Sequence, residues 1–141
     1  MQILLSKNLR RLSKLYNRTI SRELPVLQPE YFIEIIIFLS SRHETVTQKE
    51  LADYLQVDKS RVAIMVDELT RQLYVFTERN PKDRREHFVF LTEQGSLLVP
   101  LILSAINKVN ALISKELNED SLDYFYATLI KMEQNLTQTP A

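Results

Sequence analysis

Two helix N-cap signals and a basic hairpin, gathered into residues 47–95, constrain this 141-residue chain more than any other feature. Thr47 with Glu50 three residues later has the form of a capping box, where hydroxyl and carboxylate satisfy the orphan N–H groups of a helix start. Leu51, Ala52 and Leu55 follow at helical spacing, which gives the short helix one apolar face. Asp58 is a second N-cap, and Val62, Val66, Leu69 and Leu73 then recur every three or four residues. That leaves Lys59, Ser60 and Arg61 in the exposed first turn of the second helix. Two helices joined by a turn of about four residues, the second opened by polar and basic groups, form a helix-turn-helix pattern.

A hairpin follows. Tyr74–Thr77 and His87–Leu91 are aromatic and β-branched, as strands require. Residues 78–86 between them, which include Lys82, Asp83, Arg84 and Arg85, read as a turn-forming segment too polar to bury. A helix-turn-helix with such a hairpin is a winged helix. The segment resembles the multiple antibiotic resistance regulator (MarR) family. Asp83-Arg84-Arg85 matches its Asp-x-Arg wing motif and Leu91-Thr92-Glu93-Gln94-Gly95 its Leu-Thr-x-x-Gly. Leu51-Ala52-Asp53-Tyr54-Leu55 matches Leu-Ala-x-x-Leu, and Val66-Asp67-Glu68-Leu69 matches Val-Asp-x-Leu. Two departures stand out. Leu73-Tyr74-Val75 replaces the usual Gly-Leu-Val, which implies a different exit from the second helix. Ala63-Ile64 replaces a common Thr-Arg and removes a phosphate contact expected there.

Outside this segment the pattern is helical. Leu5, Leu9, Leu12 and Tyr16 stripe a first helix, which Pro25 prevents from continuing. Pro29 suits the opening turn of a second helix, whose residues Tyr31–Leu39 are apolar nearly all round and therefore belong at the centre of a fold. Thr92 caps a long helix with Leu98, Ile102, Ile106, Val109, Ile113 and Leu117 on one face. Pro100 inside that helix predicts a kink. Leu122, Phe125, Leu129, Met132 and Leu136 stripe a last helix, and the tail from Thr137 is expected to fray.

The expected fold is mainly α with a small β-hairpin wing: one domain over 1–141, with a DNA-binding lobe at 30–95 and dimerisation helices at 1–24 and 96–137. The terminal helices must bury their stripes somewhere, and a symmetric copy is the usual solution, which the family resemblance also implies. Packing within one chain is the alternative.

Composition narrows the function classes. A hydrophobic content of 45% with 26% charge is ordinary for a globular protein. No run approaches ~18 consecutive apolar residues, so no membrane span is expected. No signal-peptide pattern opens the chain, so a cytoplasmic location is expected. With no cysteine, disulfides, thiolate metal sites and the family's cysteine-based oxidant sensing are excluded. A single glycine rules out a glycine-rich phosphate cradle. His43 beside Glu44 reads as solvated and His87 as structural or near phosphate, so neither a metal, a cofactor nor an enzyme is expected.

Net charge is zero, but it is unevenly spread. Lys7, Arg10, Arg11, Lys14, Arg18 and Arg22 face only Glu23 in residues 1–24, whereas residues 93–141 are net acidic. The basic helix either pairs with the acidic end or adds to a field facing DNA. In the helix-turn-helix, Arg61 is placed to reach guanine and Lys59 a phosphate, beside Ser60. Gln48 and Lys49 open the preceding helix, whose N–H groups can meet phosphate. The resemblance implies that Arg85 enters the minor groove while Asp83 holds its guanidinium, flanked by Lys82 and Arg84.

The resulting expectation is a homodimeric repressor on a pseudo-palindromic site in double-stranded DNA. The resemblance further implies release by a small aromatic or lipophilic anionic effector, with Tyr16, Tyr31 and Phe38 as candidate but core-compatible pocket residues. A winged-helix dimer that has lost DNA binding and serves as a protein-interaction module is the competing reading.

Overall fold

The computed structural model describes residues 3–25 and 31–138. Its elements are α1 (Leu5–Glu23), α2 (Tyr31–Ser41), β1 (Val46–Thr47), α3 (Gln48–Leu55), α4 (Lys59–Arg71), β2 (Val75–Asn80), β3 (Asp83–Leu91), α5 (Glu93–Ile113) and α6 (Ser121–Gln138). The expected opening turn at Pro29 and the end of the tail lie outside the described residues. The chain divides into two compact units, Met1–Ile106 and Asn107–Ala141.

In the first unit the all-round apolar helix does occupy the centre: Phe32, Ile35 and Ile36 of α2 are fully buried with Leu51, Val62, Val66, Leu69, Val75, Val89 and Ile102. The caps close as the sequence indicates. Thr47 Oγ1 accepts from the Glu50 N–H at 3.0 Å, and Asp58 Oδ1 accepts from the Arg61 N–H at 2.8 Å. Helix α5 runs through Pro100.

The sheet is larger than the sequence indicated. It has three antiparallel strands in the order β1-β3-β2, with Val46 opposite Val89 and Val75 opposite Leu91. Residues 78–86 are not a loop: both strands continue through them, leaving Pro81-Lys82 as the turn between the paired Asn80 and Asp83. Beyond the core the hairpin is solvated on both faces. Its ladder therefore needs no apolar alternation, which is the signal used to recognise strands. Arg79 faces His87 while Asn80 faces Asp83, so Arg84, Arg85 and Glu86 have no partner on β2 and form a bulge.

The helix exit at Leu73 also differs from expectation. Despite its side chain Leu73 adopts φ 67, the left-handed conformation that glycine normally supplies. The Tyr74 N–H donates to the Leu69 carbonyl and the Leu73 N–H to the Thr70 carbonyl, both at 3.0 Å, which is a Schellman closure. The departure in sequence is absorbed as strain, about 1–2 kcal/mol, and the exit itself is unchanged.

Immediately beyond it the one glycine explains itself. A Cβ on Gly95 would lie 2.0 Å from the Tyr74 carbonyl oxygen. Substitutions at these two positions should therefore have opposite signs. Leu73→Gly should stabilise by about 0.5–1 kcal/mol by relieving the left-handed residue. Gly95→Ala should destabilise by about 3 kcal/mol, because backbone must move to admit the methyl. Thermal denaturation of the two variants measures both; an unchanged melting temperature for Leu73→Gly would show that the exit is unstrained.

The apolar stripes of the terminal helices are not covered. In α1, Leu5, Leu9, Leu12 and Leu15 are all exposed, and no residue of α6 is buried. In α5, Leu98 and Ile102 are buried as expected, but Leu97, Leu101 and Leu103 are exposed to solvent. This helix is long and apolar enough to cross a membrane by length and composition, with mean hydropathy 1.7 over its best stretch. Counting only unbroken apolar runs missed this, since Ser104, Asn107 and Lys108 interrupt the sequence without lowering the average far.

Candidate nucleic-acid interface

Helices α3 and α4 each present a capped N-terminus, and the wing bulge rises beside them. Between these elements lies a cleft of about 590 Å³ lined by Gln48, Lys49, Lys59, Ser60, Ala63, Asp83, Arg85, Glu86 and His87. Six residues singled out from the sequence thus meet in one concavity: Gln48, Lys49, Lys59, Ser60, Asp83 and Arg85. The others do not line it. The Arg61 guanidinium sits 4.9 Å over the Tyr31 ring. Lys82 is exposed at the turn, where its N–H donates to Asn80 Oδ1 at 2.9 Å, and Arg84 is exposed on the bulge. Of the remaining lining residues, His87 was read from the sequence as structural or near phosphate, Ala63 only as a lost phosphate contact, and Glu86 not at all. Ala63 was legible as a neighbour of Ser60 on the helix face. Glu86 depended on the bulge, which no local pattern announces.

Electrostatics in the cleft follow from how its carboxylates are engaged. Asp83 meets Arg85 through the backbone: Oδ1 accepts from the Arg85 N–H at 3.0 Å. This fixes the chain from which the Arg85 side chain projects, a different contact from the guanidinium clasp that the resemblance implied. Glu86 Oε2 accepts from the Asn80 amide at 2.8 Å across the hairpin. Of the three candidate pocket aromatics, Tyr16 lines a separate small cleft and the other two are engaged in ring contacts. Phe38 is buried, stacked with Tyr54 at 4.4 Å and capped by Arg42, while Tyr31 lies under Arg61.

Known proteins share this fold. The MarR family model matches residues 34–86. That match takes in the helix-turn-helix and most of the wing. An HTH-type transcriptional regulator of Bacillus subtilis, YdcH, is 33% identical over 52% of this chain and 50% of its own. The organic hydroperoxide resistance transcriptional regulator of the same organism is 27% identical over 67% of this chain and 62% of its own. The chain thus spans only about half to three-fifths of these relatives. The S. aureus MepR–DNA complex superposes with a TM-score of 0.86 at 20% identity, covering 96% of this chain and 99% of that one, which establishes the fold. Both relatives are named as transcriptional regulators.

Asp58 offers a pH test of the α4 start. The Ser60 hydroxyl donates to its carboxylate at 2.7 Å and the Arg61 N–H adds a second bond, so its pKa lies below the usual 3.8. A lowered folded pKa means that the cap contributes fully above the unfolded value and is lost as pH falls through the folded one. Asp58→Asn keeps a capping oxygen but cannot titrate. It should flatten the acid limb of the melting-temperature profile below about pH 4. Superimposable acid limbs for the two proteins would show that this cap does not contribute.

Proposed function

We propose that the chain is a homodimeric transcriptional regulator, acting as a repressor on a pseudo-palindromic site in double-stranded DNA. Residues 30–95 form the DNA lobe, and the helices within 1–24 and 96–137 join two copies. The observation that carries this reading is the single cleft uniting two helix N-termini, Lys49, Lys59 and Ser60, with Arg85 on the wing. Helix N-termini and lysines hold phosphate, and a helix start presented this way fits a major groove. An arginine on a bulged hairpin suits a narrow minor groove, where negative potential is concentrated. As an intracellular DNA binder the protein works in the cytoplasm.

The uncovered apolar stripes of α1, α5 and α6 support a second copy as their cover. The apolar α5 is then a dimerisation helix and crosses no membrane. Release by an aromatic or lipophilic anionic effector has weaker support. A cleft of about 150 Å³ lined by Tyr16, Asn17, Ile20, Ile33, Glu34 and Ile106 is smaller than such ligands need. An effector site here requires walls added by the partner.

Capture of genomic DNA on the purified protein tests the reading, with enriched sites expected at promoters; no enrichment over a bead control would favour the protein-interaction module. On the recovered site, Arg85→Ala should weaken binding and lower the salt slope by about one counterion. Asp83→Ala should also weaken it, because loss of the backbone bond frees the bulge, even though a repelling charge is removed. Tighter binding by Asp83→Ala would refute its role in shaping the wing. Light scattering should give a dimer mass at micromolar concentration, and Leu129→Glu should shift it toward monomer; a wild-type monomer mass would overturn the assembly.

A further inference from the structure

The position that most sets this chain apart within the interface is Ile64, which is 68% exposed in the middle of α4. The buried stripe of that helix is Val62, Met65, Val66 and Leu69. At 100° per residue, Ser60 and Ile64 fall on the opposite crest, one turn apart, with Ala63 beside them facing the wing. An exposed isoleucine contributes little to the fold, and this one adjoins Ser60 and Ala63 of its own helix, which line the cleft together with Lys49, Lys59 and Arg85.

Resting on the DNA-binding reading above, we propose that Ile64, backed by Ala63, is a specificity residue that reads the C5-methyl of thymine in the major groove. Isoleucine has no side-chain donor or acceptor, so it cannot address the hydrogen-bonding edge of any base. The pyrimidine C5-methyl is the apolar group that the major groove offers, on thymine in ordinary DNA and on 5-methylcytosine in modified DNA. A cationic surround brings the phosphates in, and the crest then carries the methyl contact into the groove. The readout of this helix therefore rests on shape and dehydration at that step, while Ser60, one turn nearer the helix start, retains hydrogen-bonding capacity.

The test begins with selection of binding sites from random duplexes, unmethylated in one pool and CpG-methylated in the other. Thymines in the selected site are then replaced one at a time by deoxyuridine, which removes the methyl and leaves every hydrogen bond in place. Wild-type protein should lose about fourfold in affinity at one thymine of each half-site, the value of one buried methyl. Ile64→Ala, at an exposed position that leaves the core untouched, should reduce that penalty to less than about twofold, and Ile64→Val should lie between. Deoxyuridine without effect at every position, or a penalty undiminished in Ile64→Ala, would overturn the assignment. A site recovered only from the methylated pool would overturn thymine in favour of 5-methylcytosine. Failure to select any site from either pool would instead remove the DNA-binding reading itself, and this inference with it.

Discussion

The arrangement of the interface depends on one junction, where the end of α4, the start of β2, the end of β3 and the start of α5 are tied together. Thr92 makes the knot. Its hydroxyl donates to the Leu73 carbonyl at 2.6 Å, its N–H donates to the Tyr74 carbonyl at 3.1 Å, and its Oγ1 accepts from the Gly95 N–H at 3.0 Å. The first turn of α5 thereby lies against the exit of α4, so closely that only a residue without Cβ fits at 95. The angle between the α4 axis and the wing is set here. An error at this point would carry Arg85 away from Lys59 and Ser60, so the cleft inherits its shape from a threonine and a glycine that line none of it.

The junction also accounts for what the sequence could and could not disclose. Thr47, Asp58 and Thr92 were readable as caps because a cap is a local bond between a side chain and a backbone group three residues on. The apolar stripe of α4 was readable because its period matches the helix. The conformation of Leu73 was not, since a leucine has no preference for positive φ and is held there by the Schellman bonds and by Thr92. The wing was half legible: Val75, Val89 and Leu91 carry strand character, but the hairpin beyond them is polar on both faces and looks like loop. Arg61 illustrates a third case. Its place in the first turn followed from the Asp58 cap, whereas its stacking on Tyr31 joins residues thirty positions apart and has no local signature.

Net charge gives a poor account of this surface because it counts groups without regard to their engagement. The cleft contains two carboxylates as well as its cations, and phosphate would be repelled by any carboxylate left facing it. Neither is left so. Asp83 is turned onto the Arg85 backbone N–H and Glu86 onto the Asn80 amide, so each acceptor is directed at a donor of the wing itself. Asp58, a third acidic group nearby, accepts from the Ser60 hydroxyl and the Arg61 N–H at the start of α4. Lys49 and Lys59 extend from helix starts whose unpaired N–H groups reinforce their field. A chain of zero net charge can in this way present a cationic concavity, with its acidic groups doing structural work on the same elements.

That economy has a consequence for how the interface is assembled. Carboxylates that shape the wing and cap α4 hold their partners before any ligand arrives, so the bulge and the helix start are ordered in the free protein. Ordering a hairpin of this length on binding would cost on the order of 1 kcal/mol for each residue fixed. With the cost met at folding, by bonds such as Asp83 to the Arg85 N–H and Asn80 to Glu86, the remaining adjustment is confined to the long side chains of Lys49, Lys59 and Arg85. Arg61 is constrained even further, since the Tyr31 ring already limits its rotamers. On the proposed DNA-binding function, a preorganised backbone with mobile cationic ends would permit rapid, salt-dependent encounter with many sequences and leave discrimination to the few groups that touch base edges.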